Sequence, residues 1–251
     1  VGTWQGGYGA RTRPAEGIHD DLYARAVVLA PDEAGPMAAV VSLDIVSVPH
    51  DVASAARRLA SALSGIPAGN IALCASHTHG GPLTRGNAGA ASPQPDDDYL
   101  RVLEKFIAGA VAAAARDLQP VALRLGRGRA AFHVNRRLRT PSETLMRPNP
   151  DGPIDRDVVV LRLDPAGGPE RAPDAPSPLA VLFRFTCHAT SMGAQNYRFT
   201  ADYPGAAAAF VERAYGGQTT ALFLQGCTGD IRPRLVNAEG GFRSATWPEL
   251  A

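Results

Sequence analysis

The sequence predicts an α/β fold: mixed β-sheets flanked by helices, with a site at the carboxyl ends of strands. Two observations predict it. Short apolar runs rich in Val, Leu and Phe alternate with helical patterns along the 251 residues. Four of those runs stop at a residue able to hold a metal ion or a proton, and open α/β sheets gather their ligands outside the carboxyl ends of parallel strands.

The strand-like runs span residues 24–30, 37–43, 71–75, 121–126, 130–134, 158–163, 179–186 and 219–225. Gly, Pro, Asp or polar clusters bound them. Helical patterns span 52–63, 99–118 and 205–215. The first follows Asp51 and the second follows Asp96-Asp97-Asp98, acidic residues that suit helix N-termini. Residues 83–98 and 135–155 read as long connections, the second rich in Arg and Pro. Loops beyond about 12–15 residues tend to be functional or disordered. Residues 165–178 read as a solvated excursion between two strands. No internal repeat is visible.

Composition narrows the function. A formal net charge of +1 gives no bulk attraction to nucleic acid or to an anionic membrane. No apolar run reaches the roughly 18 residues that span a bilayer. The opening Val1-Gly2-Thr3 has no charged-then-apolar leader, and a removed leader would look the same, so the compartment stays open between cytoplasmic and secreted. Cys74, Cys187 and Cys227 cannot all pair and show no Cys-x-x-Cys spacing, which argues against a disulfide framework.

The chemistry collects where the apolar runs stop: "AAVVSL" at Asp44, "IALCAS" at His77, and "LAVLFRFTC" at His188, while "TALFLQG" is followed by Asp230. His79 lies two residues beyond His77, on the same side if strand geometry persists that far. Imidazoles beside carboxylates suit zinc, which in catalytic sites takes three protein ligands and leaves a position for water. A His-x-His pair is also a common satisfied polar pair at a strand end. His19, His50 and His133 read as surface or hydrogen-bonded histidines.

The segment "SHTHGGP" (76–82) resembles the Thr-His-Thr-His-Ser-Gly-Pro signature of the neutral/alkaline non-lysosomal ceramidases. The likeness continues in order through "DDLYARAVVL", "VVSLDIV", "VNRR", "PNPDGPIDRDVVVLRL", "CHATSM", "ADYPG" and "LQGCTGDIRP". It implies a single ceramidase-like amino-terminal α/β domain over 1–251, lacking its carboxy-terminal continuation, from a bacterial branch without the nucleophilic serine. It implies a Zn2+ cofactor held by His77 and His188. It also implies that His79 and Arg136 line the substrate pocket as catalytic residues. Arg is an always-charged fork suited to a carboxylate or an oxyanion, although alone Arg136 reads as part of a basic loop with Arg137 and Arg139.

Two departures matter. Arg232 stands where the family has the serine implicated as nucleophile, and a guanidinium cannot attack a carbonyl. Arg232 is therefore assigned to substrate binding, or to a pair with Asp230. Cys227 reads as a small buried residue in a tight turn. The family's glutamate and tyrosine ligands match nothing in the eighteen residues after Pro233. Either they lie on a further piece, or Asp44, Asp202 or Asp230 serves as an extra ligand or an outer support.

The expected function is thus a zinc-dependent hydrolase cleaving an amide-type C–N bond of a linear amide by metal-activated water. Its substrate is a small-molecule or lipid-like amide other than ceramide, because residues 83–98 offer almost no large apolar side chain to a fatty chain. The alternatives are a non-catalytic relative that binds a ligand or partner, and a metal-dependent esterase.

Overall fold

In the computed structural model of the protein the described residues are 2–31, 35–86, 93–167 and 177–250. Their strands, in chain order, are β1 (Gly17–Ile18), β2 (Ala24–Leu29), β3 (Ala38–Leu43), β4 (Ile71–Ala75), β5 (Val121–Arg129), β6 (His133–Arg139), β7 (Thr144–Asn149), β8 (Asp157–Pro165), β9 (Ala180–Phe185), β10 (Arg198–Phe199), β11 (Thr220–Gln225) and β12 (Ile231–Pro233). The α-helices are α1 (His50–Ser64), α2 (Asp97–Arg116), α3 (Asp202–Ala214) and the short α4 (Trp247–Leu250).

Two mixed sheets form the body. One has the order β2-β3-β4, with β2 antiparallel and β4 parallel to β3. The other has the order β11-β9-β8-β5, in which β11 and β9 are parallel and the remaining pairs antiparallel. Strand alternation sorts their side chains into layers. Val41 and Leu43 of β3 and Ile71 of β4 pack against Val52, Ala56 and Ala60 of α1 and Ile107 and Val111 of α2. The opposite faces meet between the sheets, where Val27 joins Leu163, Leu182 and Leu222. The outer face of the second sheet places Phe183, Phe185 and Phe223 under Ala208 of α3. The result is a helix–sheet–sheet–helix sandwich. Ser42 ties its middle, its buried hydroxyl donating to the Phe223 carbonyl of the other sheet at 2.6 Å.

The helix ends follow local chemistry. Asp96 caps α2 by accepting from the backbone N–H groups of Asp98 and Tyr99. α1 starts two residues earlier than the pattern suggests, behind Pro49 and with no side-chain cap, and it stops at Gly65 in the left-handed region. α3 starts at Asp202, three residues earlier than expected.

One connection is corrected. Residues 135–155 are no long loop: β6 and β7 form an antiparallel hairpin there, and β12 pairs on the other side of β6. The strand expected over 130–134 lies instead at β6. Most of the hairpin's arginines and threonines stay exposed, so burial leaves little alternating apolar signal to read. The excursion expected over 165–178 lies partly outside the described residues, as does part of 83–98. Among the described residues no helix is long and apolar enough to cross a membrane.

Candidate metal centre

Both parallel pairs aim their carboxyl ends at one rim. β3 and β4 run out toward Asp44 and His77, and β9 and β11 toward His188 and Asp230. The strand geometry does not persist to the histidine pair. β4 ends at Ala75, and His77 takes a left-handed φ of 62°, a conformation uncommon for a residue other than glycine. The turn is held by the His77 N–H on the Ile45 carbonyl and the His79 N–H on the Ala189 carbonyl. The two glycines that follow are close approaches: a Cβ on Gly80 would lie 2.6 Å from the Thr200 oxygen, and one on Gly81 2.7 Å from the Asp44 carbonyl oxygen.

Three imidazoles converge. Ring centroids lie 4.4 Å apart for His77 and His188, and 5.1 Å for His79 with each of them. One ligand atom from each lies within 4.8 Å of the others. His77 Nδ1 donates to the Val46 carbonyl at 2.6 Å, and His188 Nδ1 donates to the Thr228 carbonyl at 2.9 Å. A carbonyl only accepts, so in each neutral ring the proton sits on Nδ1 and Nε2 is bare. These two bare nitrogens face each other at 3.0 Å. Two lone pairs so placed repel unless a shared proton or a metal ion lies between or beside them. Nitrogens each about 2.0–2.1 Å from a tetrahedral zinc lie roughly 3.3 Å apart, close to the separation seen. Carbonyls holding the far N–H of each ring are the usual outer support of metal-bound histidines. Both nitrogens of His79 are buried without a partner, so this ring has a lone pair to give. The residues present fit a divalent cation.

The surroundings favour neutral rings at His79 and His188. Burial, followed by the charges of His188, His77, Arg11 and Arg136, pushes His79 down to about 2. Burial lowers His188 to about 4, with Arg136, His77 and Arg232 adding to it and the Thr228 carbonyl opposing. Neutral imidazole is the form that binds a metal.

The other expected residues divide. Arg136 is half-buried and donates Nε and Nη2 to the Gly229 carbonyl, one residue from the carbonyl that holds His188. Arg232 donates to the Thr190 carbonyl at 3.3 Å and stacks on Phe242 at 4.3 Å. Asp44 is buried away from the imidazoles: it pairs with Arg25 at 3.3 Å and accepts from the Tyr23 N–H, and burial raises it to about 6. Asp202 accepts from the N–H groups of Ser191, Met192 and Tyr203, and so fixes the loop that follows His188. Asp230 accepts from Asn135 Nδ2. None of the three carboxylates joins the imidazole cluster. Cys227 is exposed. His19 stacks on Trp247, and buried His133 donates to the Asp155 carbonyl.

The amino-terminal segment supplies residues with no sequence signal. Tyr8 packs its ring edge-on to His79 at 4.8 Å between centroids and donates its hydroxyl to the Met192 carbonyl. Burial raises that hydroxyl to about 12, which keeps it a donor. Gly7, at a φ of 94°, abuts the His79 ring. Beside them lies a cavity of about 930 Å³ lined by Trp4, Gln5, Tyr8, Arg11 and Arg85 among others.

Two solved structures share this fold. One is of neutral ceramidase from Pseudomonas aeruginosa, with a TM-score of 0.75 and 22% identity over 99% of this chain and 40% of that one. The other, of a ceramidase complexed with C2, has a TM-score of 0.72 and 22% identity over 97% of this chain and 38% of that one. This chain therefore spans about two fifths of their length. A sequence model of the family described as neutral/alkaline non-lysosomal ceramidase, N-terminal, matches residues 1–244. The chain belongs to the neutral/alkaline non-lysosomal ceramidase family, and what it carries is that family's amino-terminal region.

Proposed function

We propose that this chain is the metal-binding part of a zinc-dependent hydrolase that cleaves the C–N bond of a linear amide other than ceramide. One observation carries the reading: the bare Nε2 atoms of His77 and His188 face each other at 3.0 Å while both Nδ1 atoms are held on backbone carbonyls. A divalent cation bound there would supply Lewis-acid polarisation and an activated water.

The chain's own residues supply the rest. His77 and His188 hold the ion, and the carbonyls of Val46 and Thr228 fix their tautomers. His79, unpartnered and beside both, either adds a third lone pair or donates to the substrate. Arg136, at the same rim, orients the acyl side and stabilises developing negative charge. Gly7 and Tyr8 pack against the His79 ring and hold it in place. One domain covers 1–251 and works with a carboxy-terminal continuation, a reading supported by the chain's share of the solved relatives' length.

Metal analysis tests this reading. Dialysis against zinc followed by gel filtration should leave stoichiometric zinc on the wild type, and little on His77→Ala or His188→Ala proteins with unchanged circular dichroism. Folded wild type that retains no zinc would leave the non-catalytic relative as the better account. The substrate is tested by supplying neutral short-chain amides and ceramide to the zinc-loaded protein. Robust fatty-acid release from ceramide would refute the exclusion of that lipid.

A further inference from the structure

We infer that Arg232, together with Arg136, forms a receptor for an oxyanion at the rim of the three-histidine cluster, so that the substrate is an amide bearing a carboxylate or a phosphate. The inference rests on the hydrolase reading for the word substrate, but not for the binding.

The placement comes from strand pairing. β12 and β6 are antiparallel, with Arg232 opposite Val134, two residues from Arg136. The His188 N–H donates to the Ile231 carbonyl, so this ladder is joined directly to the histidine loop. Arg232 reaches the Thr190 carbonyl, two residues after His188. Arg136 reaches the Gly229 carbonyl, next to the Thr228 carbonyl that orients the His188 ring. Both guanidinium groups thus bond carbonyls of the segments that hold His188, from two paired strands.

Their charges are not used up. Among the described residues neither arginine has a carboxylate within ion-pair distance, and Arg232 Nε is buried without a partner. The nearby acids bond elsewhere, Asp202 to three backbone N–H groups and Asp230 to Asn135, and act on Arg232 and Arg136 only at longer range. A partly buried guanidinium whose hydrogen bonds go only to a carbonyl is incompletely compensated. Phe242 presents a flat platform under Arg232 at 4.3 Å, which holds the fork in one orientation and reduces the entropy lost on binding. The two positive charges also repel each other. An arriving oxyanion would relieve all of this at once, and a forked cation binds carboxylate and phosphate alike.

Three probes with the same amide test it: N-octanoylglycine, N-octanoylethanolamine phosphate and the neutral N-octanoylglycinamide. Calorimetric binding is measured on the protein as purified and after chelation, so that a metal ion is not the source of any anion preference. At least one charged probe should bind tenfold or more tighter than the neutral one, before and after chelation. Which of the two does so identifies the anion. In Arg232→Gln the preference should fall below threefold. Arg232→Met, which keeps an unbranched chain over Phe242, serves if the first variant does not fold. Equal binding of charged and neutral probes by the wild type overturns the inference, as does an unchanged preference in either folded variant. Binding preference in a folded wild type that retains no zinc sinks the hydrolase reading and leaves this one standing. Hydrolysis without charge preference does the reverse.

Discussion

Replacing Asp202 by Asn isolates one charge at the floor of the histidine loop. Asp202 is 2% exposed and sits at a φ of 58°. Asn tolerates that left-handed backbone nearly as well as Asp, so the backbone contributes little to the difference. Oδ1 accepts from Ser191 N at 3.1 Å and Tyr203 N at 2.7 Å, and Oδ2 accepts from Met192 N at 3.0 Å. An amide can keep its oxygen on the first two donors. Its NH2 then faces the Met192 N–H, donor to donor. The lost bond was to a charged acceptor and is worth about 1.5–3 kcal/mol. The two retained bonds weaken as the charge goes, by roughly 1 kcal/mol together or more. Relief of the carboxylate's burial, which raises its pKa, gives part of that back. The net loss is about 2–4 kcal/mol, a fall in Tm of roughly 4–16 °C for a domain of this size. Differential scanning calorimetry reads it directly. A Tm within 2 °C of wild type, about 0.5–1 kcal/mol on that scale, would show that the three N–H groups do not depend on the charge and that Asp202 does not brace the loop.

The remaining predictions concern the rings and the join between the sheets. Gly7→Ala puts a Cβ 2.7 Å from His79 Cβ at a φ of 94°; zinc affinity by competition with a chelating dye should fall about tenfold or more, and unchanged affinity would free His79 of that wall. In the metal-free protein, burial depresses His188 to about 4 and His79 to about 2. The unfolded chain, with histidines near 6.5, then binds more protons than the native one below that pH. This stability is present above pH 6.5 and is lost as the pH falls toward 4. The urea midpoint should drop across that window, and drop less in His188→Asn; parallel profiles would contradict the assignment. Ser42→Ala removes the 2.6 Å bond to the Phe223 carbonyl and should cost about 1–3 kcal/mol by urea unfolding, with no change in zinc content.

Much of the body was legible in the order of residues. Alternating apolar runs located β2, β3, β4, β8, β9 and β11 to within a residue or two, because each buries both faces or one face in a sandwich layer. The β6–β7 hairpin was not legible, since its side chains are mostly solvated and its pairing comes from backbone bonds that any residue can make. The strand ends at Asp44, His77 and His188 marked the right rim. Only the fold separated the three, turning Asp44 toward Arg25 and the two imidazoles toward each other.

The sequence by itself determined the α/β class, the strand runs and the identity of the imidazoles, because these depend on local period and on residue chemistry. The tertiary structure alone decided that rings 111 positions apart meet at 3.0 Å, that Tyr8 and Gly7 wall in His79, and that Arg136 and Arg232 flank His188. Such meetings depend on which strands pair and where a left-handed turn falls. They are set by the packing of the whole chain, and no short stretch of residues encodes them.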